Sequence, residues 1–497
     1  MFNNYKYVSI IMRKSLLKLS LAVVLAFLFS GSEAWAIDGL RYRGEAQVSF
    51  SSGQNTPFWL VSNKMGLSSI KKNNGYIRMG VFRDMDEDRK FSWGAGVDLV
   101  GAYNFTSSFV IQQLYGEIKY RCLGAMVGSK EIYGEFNNPR LSSGNMLYSG
   151  NARPIPQVRV GIPEFTVIPY TKNWLAIKGY VAYGMFTDDG WQRDFAAPGS
   201  KRTEHVLYHS KGLFLRVGDV ARHPWSVEGG LEMAAQFGGK SYKGNEVIDM
   251  PNGIKDWFKV FFPQGGDSST PMGEQTNVYG NHVGTWSLGV TYNPTPDWGF
   301  RAYYQHFFED HSQLFFDYEW KDGFWGIEVS FPKNPVIGKF VYEYLYTKDQ
   351  SGAVYNDTSA SIPEQVSGID NYYNHGIYTG WQHWGMGIGN PLIVSPIYNN
   401  GQIYFRSNRL IGHHVGFEGQ PLEELGYRVL CSFTRNWGTY SNPLPEVENF
   451  YSGMLEVTYT PKWLEGSAGI LSIGADRGAL LGNSFGVMFT FRKSGIL

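Results

Sequence analysis

The stretch Ser484-Phe485-Gly486-Val487-Met488-Phe489-Thr490-Phe491-Arg492 decides the fold. Phe485, Val487, Phe489 and Phe491 set apolar side chains at every second position, and Ser484, Gly486, Thr490 and Arg492 lie between or beside them. A period of two means an extended chain with unlike faces. An apolar face against lipid and a polar face against a lumen make the wall of a transmembrane barrel. The pattern recurs in Trp325, Ile327, Val329, Phe331; in Tyr427, Val429, Cys431, Phe433; in Leu455, Val457, Tyr459; and in Leu231, Met233, Phe237. Cys431 falls on the lipid face, so a bridge to Cys122 is not expected, and both cysteines are read as free thiols.

Soluble sandwiches also alternate, so connection lengths carry the next step. In an outer-membrane barrel short periplasmic turns alternate strictly with longer outer loops. Counting from Leu40–Ser52 to 484–492 gives eighteen strands. Eight short turns include 85–90, Tyr170 to Asn173, Asp219 to His223, Asn293-Pro294-Thr295-Pro296-Asp297 and Thr460-Pro461-Lys462. Nine outer connections include 53–72, 130–157, 187–202, a span of some forty residues after Phe237, 349–401 and 437–449. Strand 402–418 follows loop 349–401, and strands 424–436 and 450–460 flank the last of these. The expected fold class is therefore all-β, a transmembrane antiparallel β-barrel with long extracellular loops.

Composition agrees. The 497 residues include 60 Gly, 33 Phe, 32 Tyr and 15 Trp, a mixture rich in strand formers. Lys and Arg balance Asp and Glu at 44 each, leaving no basic excess for a nucleic-acid partner. At the N-terminus Lys6, Arg13, Lys14 and Lys18 precede an apolar run from Leu19 to Phe29 that closes at Ala34-Trp35-Ala36. That order is a secretory signal cleaved after Ala36. The expected organisation is a signal peptide over 1–36 and a single outer-membrane barrel over 37–497, monomeric, in outer-membrane lipid, with its long loops facing the cell exterior. One stretch, Gly253 to Phe262, has helical periodicity, with Ile254, Trp257, Phe258 and Phe261 on one face. It is read as a plug or as a short helix packed on its own loop.

Three segments resemble the capsule-assembly Wzi family of outer-membrane proteins: Pro57-Phe58-Trp59-Leu60-Val61-Ser62-Asn63-Lys64-Met65-Gly66-Leu67, Asn277-Val278-Tyr279-Gly280-Asn281-His282, and Tyr372-Tyr373-Asn374-His375-Gly376 through Gly389-Asn390-Pro391-Leu392. The resemblance is to Bacteroides-type members. It implies an eighteen-stranded barrel acting as a surface lectin that attaches or organises capsular polysaccharide and is not an enzyme. Helices that close the periplasmic end in the family have no counterpart in the pattern after Ala36.

Sugars stack their C–H faces on aromatic rings and need fixed polar partners for their hydroxyls. Loop 349–401 offers both in Tyr372, Tyr373, His375, Tyr378, Trp381, His383 and Trp384 beside Asn371, Asn374, Gln382 and Asn390. The competing reading is an aromatic plug in the barrel mouth. Loop 187–202 adds Trp191, Arg193, Lys201 and Arg202, and loop 130–157 adds Arg140 and Arg153, whose guanidinium forks suit the carboxylates of an acidic polysaccharide. A diffusion porin, with Lys178, Arg216, Glu232 and Glu343 lining the lumen, and a barrel hydrolase using His311-Ser312 are the alternatives. No His, Ser and acid cluster is implied by spacing, so no catalytic residue is assigned. No cofactor or metal site is read either: His413 and His414 point to opposite faces, and Asp84, Asp86, Glu87 and Asp88 are explained by a charged turn.

Overall fold

The computed structural model describes residues 39–497 apart from 87, 277, 310–313, 315–320, 354–356, 360–361 and 367. The signal segment and His311-Ser312 lie outside the described residues. Eighteen antiparallel strands form one closed sheet. In chain order they are β1 (Leu40–Gly53), β2 (Asn73–Arg83), β3 (Phe91–Tyr103), β4 (Phe109–Tyr120), β5 (Leu123–Ser129) and β6 (Gln157–Val167). There follow β7 (Leu175–Met185), β8 (Leu207–Val217), β9 (Trp225–Phe237), β10 (Asn281–Tyr292), β11 (Gly299–Glu309) and β12 (Gly323–Ser330). The wall ends with β13 (Lys339–Tyr346), β14 (Leu410–Leu422), β15 (Leu425–Gly438), β16 (Pro443–Tyr459), β17 (Ser467–Gly478) and β18 (Ser484–Ile496). Each pairs with its neighbour, and β1 pairs with β18 from Arg41↔Ile496 to Gly53↔Ser484. Closure leaves no strand edge, which a wall in lipid requires.

Alternation survives as two faces. On β18, Phe485 and Phe489 are exposed while Gly486, Met488 and Thr490 are buried. On β15, Cys431 is exposed and Leu430 and Ser432 are buried, and both cysteines are free. His413 stacks outward with Phe433, whereas His414 turns inward to Ser432 Oγ (2.7 Å).

Two boundaries differ from expectation. Residues 402–409 are not strand: Phe405 N–H donates to Asn374 Oδ1 (2.8 Å) and Asn374 Nδ2 to Phe405 O (2.9 Å), so side chains of the long loop take the backbone groups a ladder would use. Loop 437–449 shrinks to a tight turn because β15 and β16 continue past the expected end, to Gly438↔Pro443.

The long connections decide what the barrel contains. Residues 54–72 turn inward, with the single helical turn α1 (Phe58–Val61) fully buried. Trp59 Nε1 donates to Ser432 Oγ (3.2 Å) and Phe58 N to Asp476 Oδ2 (2.8 Å). The 130–156 loop also enters the lumen and does not stand at the outer surface as expected. Its Ser143 N and Ser142 Oγ donate to the two oxygens of Glu343 on β13 (2.7 and 2.5 Å), and Met146 N to Gln305 Oε1 on β11 (3.0 Å). Leu141 O accepts from His414 Nε2 (2.8 Å). A Cβ on Gly416 would sit 2.3 Å from that same oxygen, so only glycine lets the loop lie this close to the wall. A third insert, from 368 to 408, completes the filling. One apolar core runs through all three, from Trp59 and Leu60 through Leu141 and Met146 to Trp381 and Phe405.

Helix α3 (Ile254–Phe261) does not enter the barrel. It lies against the outer wall, with Trp257 stacked on Tyr183 (4.8 Å, 25°) and edge-on to Phe237 (5.9 Å). Phe261 meets His209 (5.7 Å), and Lys211 donates to its carbonyl. Tyr183, His209 and Phe237 all belong to the outward faces of β7, β8 and β9.

Candidate functional site

The third insert is anchored by the aromatic residues that were candidates for ligand contact. Trp381 is fully buried: its Nε1 donates to Leu147 O (2.8 Å), and its ring stacks on Tyr208 (6.3 Å, 20°) and meets Tyr148 edge-on (6.0 Å). Tyr372 and Tyr373, equally buried, hold Phe307 of β11 between them at 4.8 and 5.2 Å. The Tyr373 hydroxyl donates to Met146 O and accepts from Asn390 N (3.0 Å). A Cβ on Gly389 would fall 2.2 Å from that hydroxyl. In this conformation Trp381, Tyr372 and Tyr373 tie the inserts to one another and to the wall, and none of the three presents a ring to solvent.

Around them Asp188, buried, joins two segments, 187–195 and the third insert. Its Oδ2 accepts from Gln192 Nε2 (3.2 Å), Gln382 Nε2 (3.1 Å) and Trp384 N (3.1 Å). His383 is held as a neutral ring: Thr187 N donates to Nε2 (3.2 Å), so Nδ1 carries the proton and donates to Arg153 O (3.0 Å). Burial lowers its pKa, and the field of Asp188 opposes without prevailing. Trp191, on α2 (Asp189–Phe195), stacks on Phe195 (4.8 Å, 23°) and closes over Gly385.

Above this assembly the loop end carries a ledge of rings and cations. The Arg153 guanidinium lies 4.3 Å from the Trp384 ring and donates to Thr106 Oγ1 (2.6 Å), and Trp384 Nε1 donates to Thr187 Oγ1 (3.3 Å). Burial brings the Arg153 pKa down to about 10, which leaves it charged at neutral pH. Arg202 lies 4.0 Å from the Tyr242 ring and pairs with Glu204; Arg193, its side chain 60 % exposed, reaches Glu204 at 3.7 Å. Lys201 donates to the carbonyls of His375 and Gly376, and burial lowers it to about 8. His375 is lowered to about 3 by burial and then by Lys201, so its 3.6 Å approach to Glu274 is a contact of a neutral ring and not an ion pair.

Trp381, Trp384, Tyr372, Tyr373, His383, Trp191 and Arg153 thus share one assembly, with Arg193 and Arg202 at its rim. Arg140 is elsewhere. It pairs with Glu418 (2.8 Å), a residue on the short-turn half of β14, far from the loop end. Tyr242 and Asp188 escaped sequence reading: Tyr242 sits in a small hairpin that pairs with Arg202–Glu204, and nothing local marks Asp188.

The wall charges expected to line a pore are engaged. Lys178 pairs with Glu135 of the inward loop (2.7 Å), Glu343 binds Ser142 and Ser143, Arg216 faces Glu228 (3.9 Å), and Glu232 accepts from the Tyr180 hydroxyl (3.0 Å). Two adjoining cavities, of about 280 and about 70 Å³, remain between that loop and the wall, sharing Lys130, Glu135, Arg159 and Tyr180. No group of three or more His, Cys, Asp or Glu able to hold a metal occurs among the described residues.

No family model matches the chain, and no curated protein matches it in sequence. Among solved structures the fold is similar to Wzi of Escherichia coli, an outer membrane protein involved in group 1 capsule assembly that is a carbohydrate-binding β-barrel. The TM-score is 0.54 at 12% identity, over 90% of this chain and 83% of that one. Two Pseudomonas aeruginosa proteins align at lower scores. OpdQ gives 0.46 at 7% identity over 92% and 99% of the two chains, and OprD gives 0.43 at 8% over 94% and 97%. What the chain shares with Wzi at this identity is the fold, an outer-membrane β-barrel.

Proposed function

We propose that this barrel is a Wzi-like surface lectin, which holds extracellular or capsular polysaccharide at its loop end, the end facing the cell exterior. The observation that carries the reading is the filled lumen beneath an accessible ledge. Three inserts occupy the interior, and the wall charges a porin would leave to solutes are engaged, Lys178 and Glu343 by the 130–156 loop and Arg216 and Glu232 by neighbouring wall residues. The ledge offers Trp384 backed by Arg153, Tyr242 backed by Arg202, and the exposed fork of Arg193. Rings that already carry a cation on one face present the other to sugar C–H groups, and guanidinium forks suit uronate carboxylates. A fold shared with a carbohydrate-binding barrel supports the reading. The role is one of binding without turnover, with no cofactor.

Isolated capsular polysaccharide from the source bacterium, titrated onto the purified barrel in detergent, tests the proposal. Saturable binding is expected, weakened about tenfold by Trp384→Ala together with Arg193→Ala, the loss of roughly 1.4 kcal/mol. Equal binding by wild type and variant would refute the ledge as the site, and no binding by wild type would refute the lectin.

A further inference from the structure

A row of aromatic rings crosses the outer face of six neighbouring strands. Tyr304 of β11, Trp325 of β12, Tyr344 of β13, His413 of β14, Phe433 of β15 and Tyr451 of β16 follow one another at centroid distances of 5.1, 5.6, 5.1, 6.4 and 4.7 Å. Such a row is an interfacial belt, where ring faces meet acyl chains and polar edges meet headgroups. Tyr459, exposed on the same strand as Tyr451 and eight residues further on, lies about 26 Å along the chain at about 3.3 Å per residue. That span suits an apolar band roughly 25 Å tall.

Directly on the loop side of this belt stand three cations. Arg435 is two residues beyond Phe433 on the same outward face, with its guanidinium carbon 5.3 Å from the centre of the Trp437 ring. Lys348 Nζ lies 4.7 Å from the same ring. Arg409 covers Tyr440 at 3.7 Å, and its Nε donates to Lys348 O (3.0 Å). Shared rings and that hydrogen bond bring the three into one patch. The strand neighbours of Arg435 are the neutral Ile411 and Asn449. Among the described acids around the patch, Asp349 accepts from the Tyr440 hydroxyl through its carbonyl (2.7 Å), the Asp322 carboxylate is turned to the backbone N–H groups of Asp349 and Gln350 (3.0 and 2.6 Å), and Glu448 pairs with Arg406 (3.1 Å). No ion pair among the described residues involves Lys348, Arg409 or Arg435.

We propose that Lys348, Arg409 and Arg435 form a binding site for the phosphate groups of a phosphorylated lipid in the leaflet level with the loop end. Adjacent cations repel one another, and an anion of more than one charge removes that repulsion. Two guanidinium forks and an ammonium match a phosphate's several acceptor oxygens. The height of the patch selects the source: just above an aromatic belt is where lipid headgroups lie and where basic side chains meet them. The inference rests on the barrel's membrane placement and is independent of the polysaccharide role.

Native mass spectrometry of the full barrel in nanodiscs of zwitterionic lipid tests it, with three probes: lipid A carrying its phosphates, the same lipid dephosphorylated, and inorganic phosphate. Phosphorylated lipid A is expected to bind saturably, and the dephosphorylated lipid to bind far more weakly. Lys348→Gln weakens binding about fivefold and the triple variant with Arg409→Gln and Arg435→Gln roughly a hundredfold. Heat-modifiable migration on gels verifies that each variant is folded, and Lys348→Gln, which removes no backbone contact, serves if the triple variant is not. Equal retention by wild type and Lys348→Gln overturns the site. Inorganic phosphate that binds as tightly as the lipid overturns the lipid assignment in favour of a soluble phosphate ester.

Discussion

Trp381 and Trp384 are three residues apart and have opposite fates, and the difference sets the clearest expectation at the residue scale. Trp381→Ala empties a fully buried site and removes the bond to Leu147 O, so it lowers stability by about 3–5 kcal/mol and shifts the thermal transition. Trp384→Ala removes a ring only partly buried against that core, so it shifts the transition by less, about 1 kcal/mol, and weakens polysaccharide binding as well. Thermal melts and binding isotherms on both variants separate the roles; a Trp381→Ala protein that melts with wild type contradicts the anchoring described. Asp322 and Glu274, both in long connections, are raised by burial to about 7. Folded pKa values above the unfolded ones mean that the folded state binds more protons between about 4 and 7, so these loops gain stability as pH falls through 7 and lose it as pH rises. Amide exchange at 274–280 and 349–352 is expected to slow between pH 8 and pH 5.5 after correction for intrinsic rates. Unchanged protection contradicts the shift. Sequence showed the aromatic cluster of 372–384 but not its burial, because rings, Asn and Gly serve a packed plug and a sugar site equally well. The partners that decide between them, Leu147, Tyr208 and Phe307, are far along the chain.

At the scale of elements, strands were legible and loop directions were not. Alternation located all eighteen strands and their turns because each residue's face follows from its neighbours alone. The inward course of 130–156 depends on Glu343 and Glu418, 200 and 278 residues from their partners Ser143 and Arg140, which no local pattern encodes. Strand-like alternation also misled at 402–409, where Phe405 gives both its backbone groups to Asn374. The apolar face of 253–262 was visible, but the structure divides it. Trp257 and Phe261 meet the wall, while Ile254 (73 %) and Phe258 (62 %) stay exposed on the lipid side of the barrel. A loop held by Glu343 gives a further test. Deleting residues 136–147 removes its anchors to Glu343 and Gln305, and planar-bilayer recordings are expected to change from silent to steadily conducting. A deletion variant that stays silent, or a wild type that already conducts, contradicts the filled lumen.

For the whole molecule, closure and filling together separate a wall in contact with lipid from an interior occupied by three inserts. Composition and strand count foretold the wall; the filling appears only in three dimensions, as ion pairs and hydrogen bonds between inserts and barrel. What then remains for function is the loop end, with its ledge of Trp384, Arg153, Tyr242, Arg202 and Arg193. The most direct measurement is the distribution of capsular polysaccharide between cells and medium in the source bacterium after deletion of this protein. Loss of polysaccharide from cells into the medium at unchanged total, restored by wild type and not by the Trp384→Ala, Arg193→Ala variant, is the predicted result. Capsule fully retained on the deletion strain would contradict the account.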